Sequence, residues 1–490
     1  MRTIALATGL LAVTASAAWA VEPADETFLS RAGYGHDNWT RKRYADLGRR
    51  DYVLEQLDPS SIPDGVINRA LQEAEFDALE MELPELVATF GAGKPRGGEV
   101  ALRQVESEMV LRAISSHRQL ETLLTEFWAN HFNVDLSGAV SVYQVPYMRD
   151  TIRPHVLGKF EDLVLAVAKS PAMLKYLNND MSFRDGYVLG GRERGLNENY
   201  ARELMELHCF GMDDQGGVYT QADVTEMARA LTGWTIRRDT NDGFRFRPDG
   251  HDTGAKTVIK LKLPAGGGVE EGEAAIRMVA NHWRTRNFIT QKLVNFFVPR
   301  GIDRADLLAK CREVWTHTGG NLKAVVRTIL LRPEIMDASK VKVVRPLHLI
   351  AASARSVNAQ LGEGPDRWTL LRKFVAGATH MGQPLLAVPP PTGWDDSPKS
   401  WANAALMLER FNAMNTWYGT GAQVPVGFQP RGSADRLVDV VEERVLGAGT
   451  LRAATKTAIR DLVAGSGLVD EEAYRLTLAH VLSSSAFNNR

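Results

Sequence analysis

The sequence predicts a mainly α-helical fold, a large multi-helix globular body with one small β-hairpin near residues 244–263. Three observations support this prediction. Apolar residues recur at helical spacing through most of the chain. Only one stretch alternates convincingly between apolar and polar residues. The predicted helices also follow one another with short connections, which is typical of one packed helical body rather than of separate domains.

The first twenty residues have the pattern of a secretory signal peptide. A charged start at Arg2 precedes an apolar core and the triplet Ala18-Trp19-Ala20, so cleavage is expected after Ala20. The segment lacks a twin-arginine pair, and no cysteine follows the cut to carry a lipid. We therefore expect an exported protein, periplasmic or secreted, whose mature residues 21–490 form a single mainly helical domain.

The composition of the 490 residues limits the partners. Lysine plus arginine number 58 and aspartate plus glutamate 59, a formal net charge of −1, so no nucleic-acid partner is predicted. No stretch after the signal peptide approaches the roughly twenty apolar residues that a membrane span needs. Cys209 and Cys311 either pair in an oxidising compartment or remain buried thiols, and they are too few for a thiolate metal cluster.

Tyr34 is predicted to lie in a tight turn between two helices. Its flanking glycines are too sparse for a phosphate-binding loop, and no strand precedes them. A helical segment at 66–90 follows, and a strong helical period then runs from 101 to about 130, into the sequence F-W-A-N-H-F. His131 is therefore expected to point inward at a helix end. It would be either a site ligand or base or an ordinary core histidine.

Two helices that face each other are predicted between Asn197 and Trp234, after a loop at 132–154 and a helix at 160–177. The first should begin at Asn197 and end near Gly211. The second should open with Thr220 and Asp223 in the spacing of a capping box. His208 falls on the apolar face of the first helix, whose other face is crowded with Glu198, Arg202, Glu203 and Glu206.

Residues 244–263 are predicted to form two strands around a turn that holds His251, Asp252 and Lys256. A histidine in such a turn is more often exposed and idle than functional. The proline-rich segment 382–394 has no charge and is expected to lie as an extended strap over the core, where Trp394 could wall a pocket. Helices fill the rest of the chain, at about 272–283, 285–297, 304–316, 321–331, 345–358, 366–380, 399–415, 434–446, 451–464 and 470–483.

Several sequence blocks together resemble one family, the exported bacterial proteins of the domain of unknown function 1800 (DUF1800) group. They are R-A-G-Y-G at 31–35, F-W-A-N-H-F at 127–132, N-E-N-Y-A-R-E-L-M-E-L-H at 197–208, Y-T-Q-A-D-V followed by A-R-A-L-T-G-W, H-D-T-G-A-K at 251–256, and G-Q-P-L with P-P-P-T-G-W at 382–394. Cys209 stands where the family more usually has threonine, and Tyr34 where it has phenylalanine. The resemblance implies export but no reaction. It also implies a neighbour, because members are often encoded beside an exported protein resembling the sulfatase and alkaline phosphatase superfamily.

The first functional hypothesis is an enzyme whose site gathers polar residues from several segments. Glu203, at the edge of its helix's polar face, could be partly buried with a raised pKa and act as acid or base. Alternatively, His131, His208 and Glu203 could bind a divalent metal for metal-assisted hydrolysis. The five residues from Glu203 to His208 place the two on different sides of one α-helix, so metal ligands would come from separate helices. The candidate catalytic residues are His131, Glu203, His208, Asp223, His251 and Lys256, supported by Glu198, Arg202, Glu206 and Arg229.

The second hypothesis is a non-catalytic exported scaffold, or an assembly partner of a sulfatase- or phosphatase-like protein. In this case the same polar network would hold helices together, since a fully satisfied buried network specifies one packing arrangement. The proline-rich strap would then be part of a partner surface. A serine hydrolase and a nucleotide enzyme are disfavoured, because the sequence has neither a G-x-S-x-G elbow nor a glycine-rich phosphate loop.

Overall fold

The computed structural model confirms the mainly α-helical fold class. The predicted signal peptide, residues 1–20, lies outside the residues that the structure describes. Among the described residues, no helix is both long and apolar enough to cross a membrane. Cys209 and Cys311 are both buried free thiols. The structure describes residues 23–212, 217–237, 243–427 and 429–489.

The N-terminal part contains seven α-helices. Helices flank Tyr34 as predicted, but the continuous helix predicted for 101–130 is divided into two. Ser116 leaves the helical conformation, and its hydroxyl accepts a hydrogen bond from the Arg118 backbone N–H at 3.0 Å, an alternative to helical bonding that serine often offers. The helices are α1 (Pro23–Ala32), α2 (Asn38–Gln56), α3 (Gly65–Glu73), α4 (Asp77–Glu80), α5 (Leu83–Phe90), α6 (Gly97–Ser115) and α7 (Gln119–His131).

The segment predicted as a loop at 132–154 is largely helical instead. It contains two 3-10 turns, Gly138–Tyr143 and Arg153–His155, the short helix α8 (Gln144–Pro146) and the π-helix Tyr147–Ile152. Short turns of mixed type do not give the regular 3.6-residue period on which the sequence prediction depends. The predicted helix at 160–177 is two helices divided at a proline, α9 (Phe160–Lys169) and α10 (Pro171–Tyr176).

The two facing helices between Asn197 and Trp234 are present. The first, α11 (Asn199–Glu203), continues as the π-helix Leu204–Phe210 and stops at Gly211, whose φ of 77° favours glycine. The second, α12 (Gln221–Ala230), begins with the predicted capping box: Thr220 Oγ accepts from the Asp223 backbone N–H, and the Asp223 carboxylate accepts from the Thr220 backbone N–H.

The strands near 244–263 pair differently from the prediction. Residues 244–246 do not pair with the later strand; they pair with 234–236, and Trp234 faces Phe246 in the register. The Arg247 backbone N–H continues this pairing by donating to Gly233 O at 2.8 Å, and a 3-10 turn at Pro248–Gly250 then ends the strand. The hairpins are β1 (Tyr187–Leu189) with β2 (Arg192–Arg194), β3 (Trp234–Ile236) with β4 (Phe244–Phe246), and β5 (Lys256–Val258) with β6 (Leu261–Leu263).

The C-terminal half is helical, and each helix predicted there has a counterpart whose ends differ by a few residues. Residues 382–394 are non-helical, as predicted, and we call this segment the strap. The helices are α13 (Val269–Ala280), α14 (Trp283–Phe297), α15 (Ala305–Thr318), α16 (Leu322–Leu331), α17 (Pro346–Ser356), α18 (Gly364–His380), α19 (Pro398–Trp401), α20 (Ala404–Tyr418), α21 (Ala434–Val445), α22 (Ala453–Gly465), α23 (Asp470–Ser483) and α24 (Ser485–Asn488).

Candidate functional site

Two predicted site residues, His131 and His208, meet in the core where the end of α7 packs against the π-helix Leu204–Phe210. Both rings are buried, and their centroids are 6.3 Å apart. His131 Nε2 lies 3.0 Å from the backbone oxygen of His208. A carbonyl only accepts, so Nε2 carries the hydrogen and Nδ1 is left as an acceptor. The ring of His131 is thus held in one tautomer.

Lys292, on α14, donates to that acceptor. Its Nζ lies 2.8 Å from His131 Nδ1. Burial lowers the pKa of Lys292 to about 8; Asp396 acts in the opposite direction, and Arg345 adds to the lowering. Burial, together with the Lys292 and His208 side chains, holds the pKa of His131 well below its usual range. Near neutral pH the pair therefore consists of a neutral imidazole and an amine that readily gains or loses a proton.

A series of charged and polar groups extends from Lys292 past the end of the strap to Tyr34, which follows α1. Arg345 Nη2 donates to Asp396 Oδ1 at 2.6 Å, and Arg345 Nη1 lies 3.7 Å from Glu126 Oε1. Tyr34 Oη donates to Glu126 Oε2 at 2.6 Å. Burial alone would raise the pKa of Asp396, but the Arg345 and Lys342 cations outweigh it and hold that pKa well below its usual range. Asp396 therefore stays ionised.

The strap is attached by two asparagine side chains, Asn130 on α7 and Asn133 two residues beyond its end. Asn130 donates to Trp394 O at 3.1 Å and accepts from the Trp394 backbone N–H at 2.6 Å. Asn133 donates to the backbone oxygens of Val388 and Pro390. These side-chain bonds replace the backbone partners that a non-helical segment lacks. The strap therefore lies over the end of α7, beside His131.

Gly393 is where the strap comes closest to α7. Its φ is 69°, and a Cβ built on it would lie 2.1 Å from Asn130 O. Both the backbone conformation and the space require glycine here. Trp394, the next residue, lines a cavity of about 30 Å³ with Asn130 and Arg345, so it occupies the pocket-wall position expected from the sequence.

Glu126 lies at the junction of three small cavities. The largest, about 60 Å³, extends toward α1 and is lined by Arg345 and Lys342 among others. The second is the cavity beneath the strap, and the third, about 20 Å³, is lined by Tyr34 and residues of α6. A buried carboxylate between several cavities is an unusual placement for a charged group. The polar groups near α7 therefore form the leading candidate site.

Glu203 is half-buried, with no hydrogen-bond partner among the described residues. Burial raises its pKa, as does Glu206, while Arg202 opposes the shift. Its charge also affects Tyr176, whose hydroxyl donates to the strap at Pro389 O. A π-helical turn takes more residues than an α-helical one, so the spacing from Glu203 to His208 is nearer to one turn than the sequence suggests. No described contact joins the two side chains.

His251 and Lys256 belong to a different cluster. His251 Nε2 lies 3.1 Å from Glu271 Oε2, and Lys256 Nζ donates to the same oxygen at 2.7 Å. Lys256 also donates to the backbone oxygens of Asp252 and Gly254. His251 is buried, so the expectation of an exposed turn histidine was wrong. The unexpected pairing of β4 with β3 folds this turn inward.

The remaining predicted residues join α11, α12 and the β5–β6 hairpin. Asp223 accepts from the Thr220 and Ile259 backbone N–H groups. Arg229 donates to Asp252 and Glu226. Glu198 accepts from Arg202, Gln221 and Thr225, and the negative charge of half-buried Glu206 raises the pKa of Glu203. Within the described chain, neither Asp223 nor Arg229 contacts His131 or His208, so the predicted support of the histidines by these two residues is not found.

Sequence reasoning missed Lys292, Arg345, Asp396 and Glu126. Glu126 immediately precedes F-W-A-N-H-F, and Asp396 follows P-P-P-T-G-W by two residues, so extending either block would have included them. Lys292 and Arg345 carry no comparable local signal. In the ranges that the structure covers, no three His, Cys, Asp or Glu side chains are gathered as metal ligands.

Comparison with known proteins identifies the family. No curated protein and no solved structure matches the chain. One family model, described as "Protein of unknown function (DUF1800)", matches residues 27–489. The matched segment includes every residue of the site beside α7, from Tyr34 to Asp396. Because the match spans nearly the whole sequence, the chain belongs to the DUF1800 family of proteins of unknown function.

Proposed function

We propose that the chain is an exported enzyme, periplasmic or secreted, that carries out acid–base chemistry at Lys292 and His131 beneath the strap. The observation that supports this most is the 2.8 Å contact between Lys292 Nζ and His131 Nδ1. A structural lysine would more usually pair with a carboxylate. An amine that is half-buried against a neutral imidazole suits proton transfer near neutral pH.

Each neighbour has a chemical role in this proposal. Lys292 accepts or donates the proton, and His131, fixed by its bond to His208 O, holds the amine in place. Arg345 supplies positive charge for an oxygen that becomes negative during reaction. Asp396 orients Arg345 by the 2.6 Å bond. The strap excludes water, which strengthens these charge interactions.

Metal-assisted hydrolysis is the alternative reaction that the sequence suggested. It would need His131, His208 and Glu203 as ligands. His131 Nε2 is occupied by a carbonyl and Nδ1 by Lys292, so neither nitrogen of this ring is free for a metal without displacement of a partner. The acid–base proposal keeps both of these contacts of His131, and we therefore favour it.

The test replaces Lys292. Lys292→Met removes the amine but keeps the length of the side chain, so complementation of a deletion strain should fail while the melting temperature holds or rises, because a desolvated cation is removed. Lys292→Arg keeps the charge, but its pKa is too high for proton transfer, so it should also fail. Lys310→Met, on the exposed face of α15, is the control and should complement. A fully active Lys292→Met variant would contradict the proposal.

A second candidate function is the scaffold or assembly partner of a sulfatase- or phosphatase-like protein. The observation that favours it is that Asp223, Arg229, His251 and Lys256 all hold packing elements together. Glu203→Gln distinguishes the readings, because it keeps shape and removes charge. An enzyme that uses Glu203 should lose activity with little change in melting temperature. In a scaffold, Glu203 has no partner among the described residues to lose, so the variant should keep both its melting temperature and its ability to complement.

A further inference from the structure

The 60 Å³ cavity beside Glu126 is lined by buried donors that make no hydrogen bond to any residue that the structure describes. Ser30 Oγ, Arg31 Nε and Arg345 Nη1 are all buried, and none of the three donates a hydrogen bond to a described residue. Their residues are 3%, 8% and 7% exposed. Buried donors are almost always paired, because an unpaired one loses its hydration without compensation. Three of them around one cavity therefore indicate a bound acceptor.

The charge around the cavity indicates the sign of that acceptor. Arg31, Lys342 and Arg345 line it with Glu126 as the facing carboxylate. Both oxygens of Glu126 are already engaged, Oε2 by Tyr34 at 2.6 Å and Oε1 by Gln383 at 3.4 Å. Lys342 also faces Asp396 at 3.5 Å. Among the groups that line the cavity, three cations against one carboxylate leave a net positive charge, which favours an anion.

The volume and geometry narrow the ligand further. A single water needs a cavity of about 15 Å³, so a cavity of about 60 Å³ has room for a small group of a few heavy atoms, such as a carboxylate, phosphate or sulfate. Guanidinium groups bind the oxygens of these anions with charge-assisted hydrogen bonds. Arg345 also contacts Asp396, whose charge acts on Lys292. The cavity is therefore connected to the proposed reacting pair through one side chain.

We propose that this cavity is an oxyanion-binding subsite, and that the substrate carries a carboxylate, phosphate or sulfate group held by Ser30, Arg31 and Arg345. The proposal rests on the enzymatic function above in naming a substrate, but the binding site itself does not depend on that function. Lys342 adds charge at the cavity wall without a direct role in proton transfer.

The experiment measures the melting temperature of the mature protein against acetate, phosphate and sulfate at constant ionic strength. At least one probe should raise it along a saturating curve. Acetate alone would indicate a carboxylate substrate, and phosphate or sulfate alone the corresponding ester. Ser30→Ala is the main variant: the Ser30 hydroxyl has no hydrogen-bond partner in the described part of the chain, so folding should be unaffected while anion affinity falls about tenfold. Arg345→Met should abolish the rise in melting temperature with the anion. If Arg345→Met does not fold, Lys342→Met takes its place.

Ser107→Ala is the matched control, because Ser107 Oγ on α6 is also buried, with no partner within the described ranges, but does not line the cavity. It should bind the probe as the unchanged protein does. The subsite is contradicted if no probe gives a saturating response, or if Ser30→Ala and Ser107→Ala respond alike. Lys292→Met separates the two proposals. If Lys292→Met binds the anion and still complements, the reacting pair is refuted and the subsite is not. If Lys292→Met fails to complement and the unchanged protein binds no anion, the subsite is refuted and the reacting pair is not.

Discussion

At the residue scale, the structure distinguishes polar groups that hold the fold from polar groups that the fold leaves unsatisfied. His251, Lys256 and Arg229 each have several hydrogen-bond partners. His208 is the opposite case: it is fully buried, and neither ring nitrogen has a hydrogen-bond partner among the described residues. Such a residue destabilises the fold in acid, where the unfolded chain takes up a proton on this histidine before the folded chain does. The effect can be measured as a change in the free energy of unfolding.

His208→Leu should reduce the acid sensitivity of the protein. Burial lowers the pKa of His208 to about 3, from 6.5, so the unfolded chain takes up the proton first as pH falls below 6.5. The free energy of unfolding then decreases by about 1.4 kcal/mol per pH unit for this group, down to about pH 3. Leucine removes that contribution. Urea unfolding at pH 7 and pH 4.5 should show a smaller difference for the variant.

The control for this measurement is His317→Leu on α15, because His317 is exposed. Its pH dependence should match that of the unchanged protein. At pH 7, His208→Leu should be as stable as the parent or slightly more so, since an apolar side chain replaces a buried ring with unpaired nitrogens. An unaltered difference between the two pH values would show that His208 has partners that the contacts above do not include.

At the element scale, the strap is the part whose position depends most on single residues. It has no helical bonding of its own and lies against α7 through Asn130 and Asn133. The end of α7 also carries His131. Movement of the strap therefore changes the packing at the end of α7 and the position of Asp396, which follows the strap in the chain.

Gly393→Ala should displace the strap. The new Cβ would lie 2.1 Å from Asn130 O at a φ of 69°, so the cost combines backbone strain with a clash against backbone that cannot move aside. Gly421→Ala separates the backbone strain from the clash, because Gly421 has a φ of 74° but a Cβ built on it would have nothing within 4 Å. The control should lose about 1 kcal/mol of stability, and Gly393→Ala clearly more. Gly393→Ala should also show faster hydrogen exchange in the strap. Equal losses of stability in Gly393→Ala and Gly421→Ala would contradict the predicted clash.

At the scale of the whole molecule, the sequence predicted the helices well because amphipathic periodicity is a local property. It did not predict the pairing of β4 with β3, since strands of three residues carry little register information. His131 and His208 were found as histidines on apolar helix faces. Lys292 was not identified, because a lysine on an amphipathic helix is expected to face solvent until its packing partner is known. Arg345, which immediately precedes α17, was missed because a single arginine carries no local signal of burial.

Export is the whole-molecule prediction that remains to be tested. The apolar segment before Ala20 should be removed by signal peptidase, leaving Val21 as the first residue of the mature chain. N-terminal sequencing of protein recovered from the periplasm or the medium checks this. Ala20→Leu should block cleavage, because the site requires a small residue, and leave a longer chain. An intact Met1 in a soluble cytoplasmic pool would contradict export.

The bonds of Glu126 have a consequence for how the protein acquires and loses its site. Its partners Tyr34 and Gln383 are 92 and 257 positions away along the chain, and the Asn130 bonds to Trp394 span 264. Contacts between such distant segments close large loops and form late in folding. A chain truncated before the strap, or cut by a protease between α17 and the strap with loss of the C-terminal piece, would keep many of its helices but no longer assemble the cavity. An activity assay would then detect whether the chain is intact from its first helix to the strap. A measurement of helical content alone would not detect this.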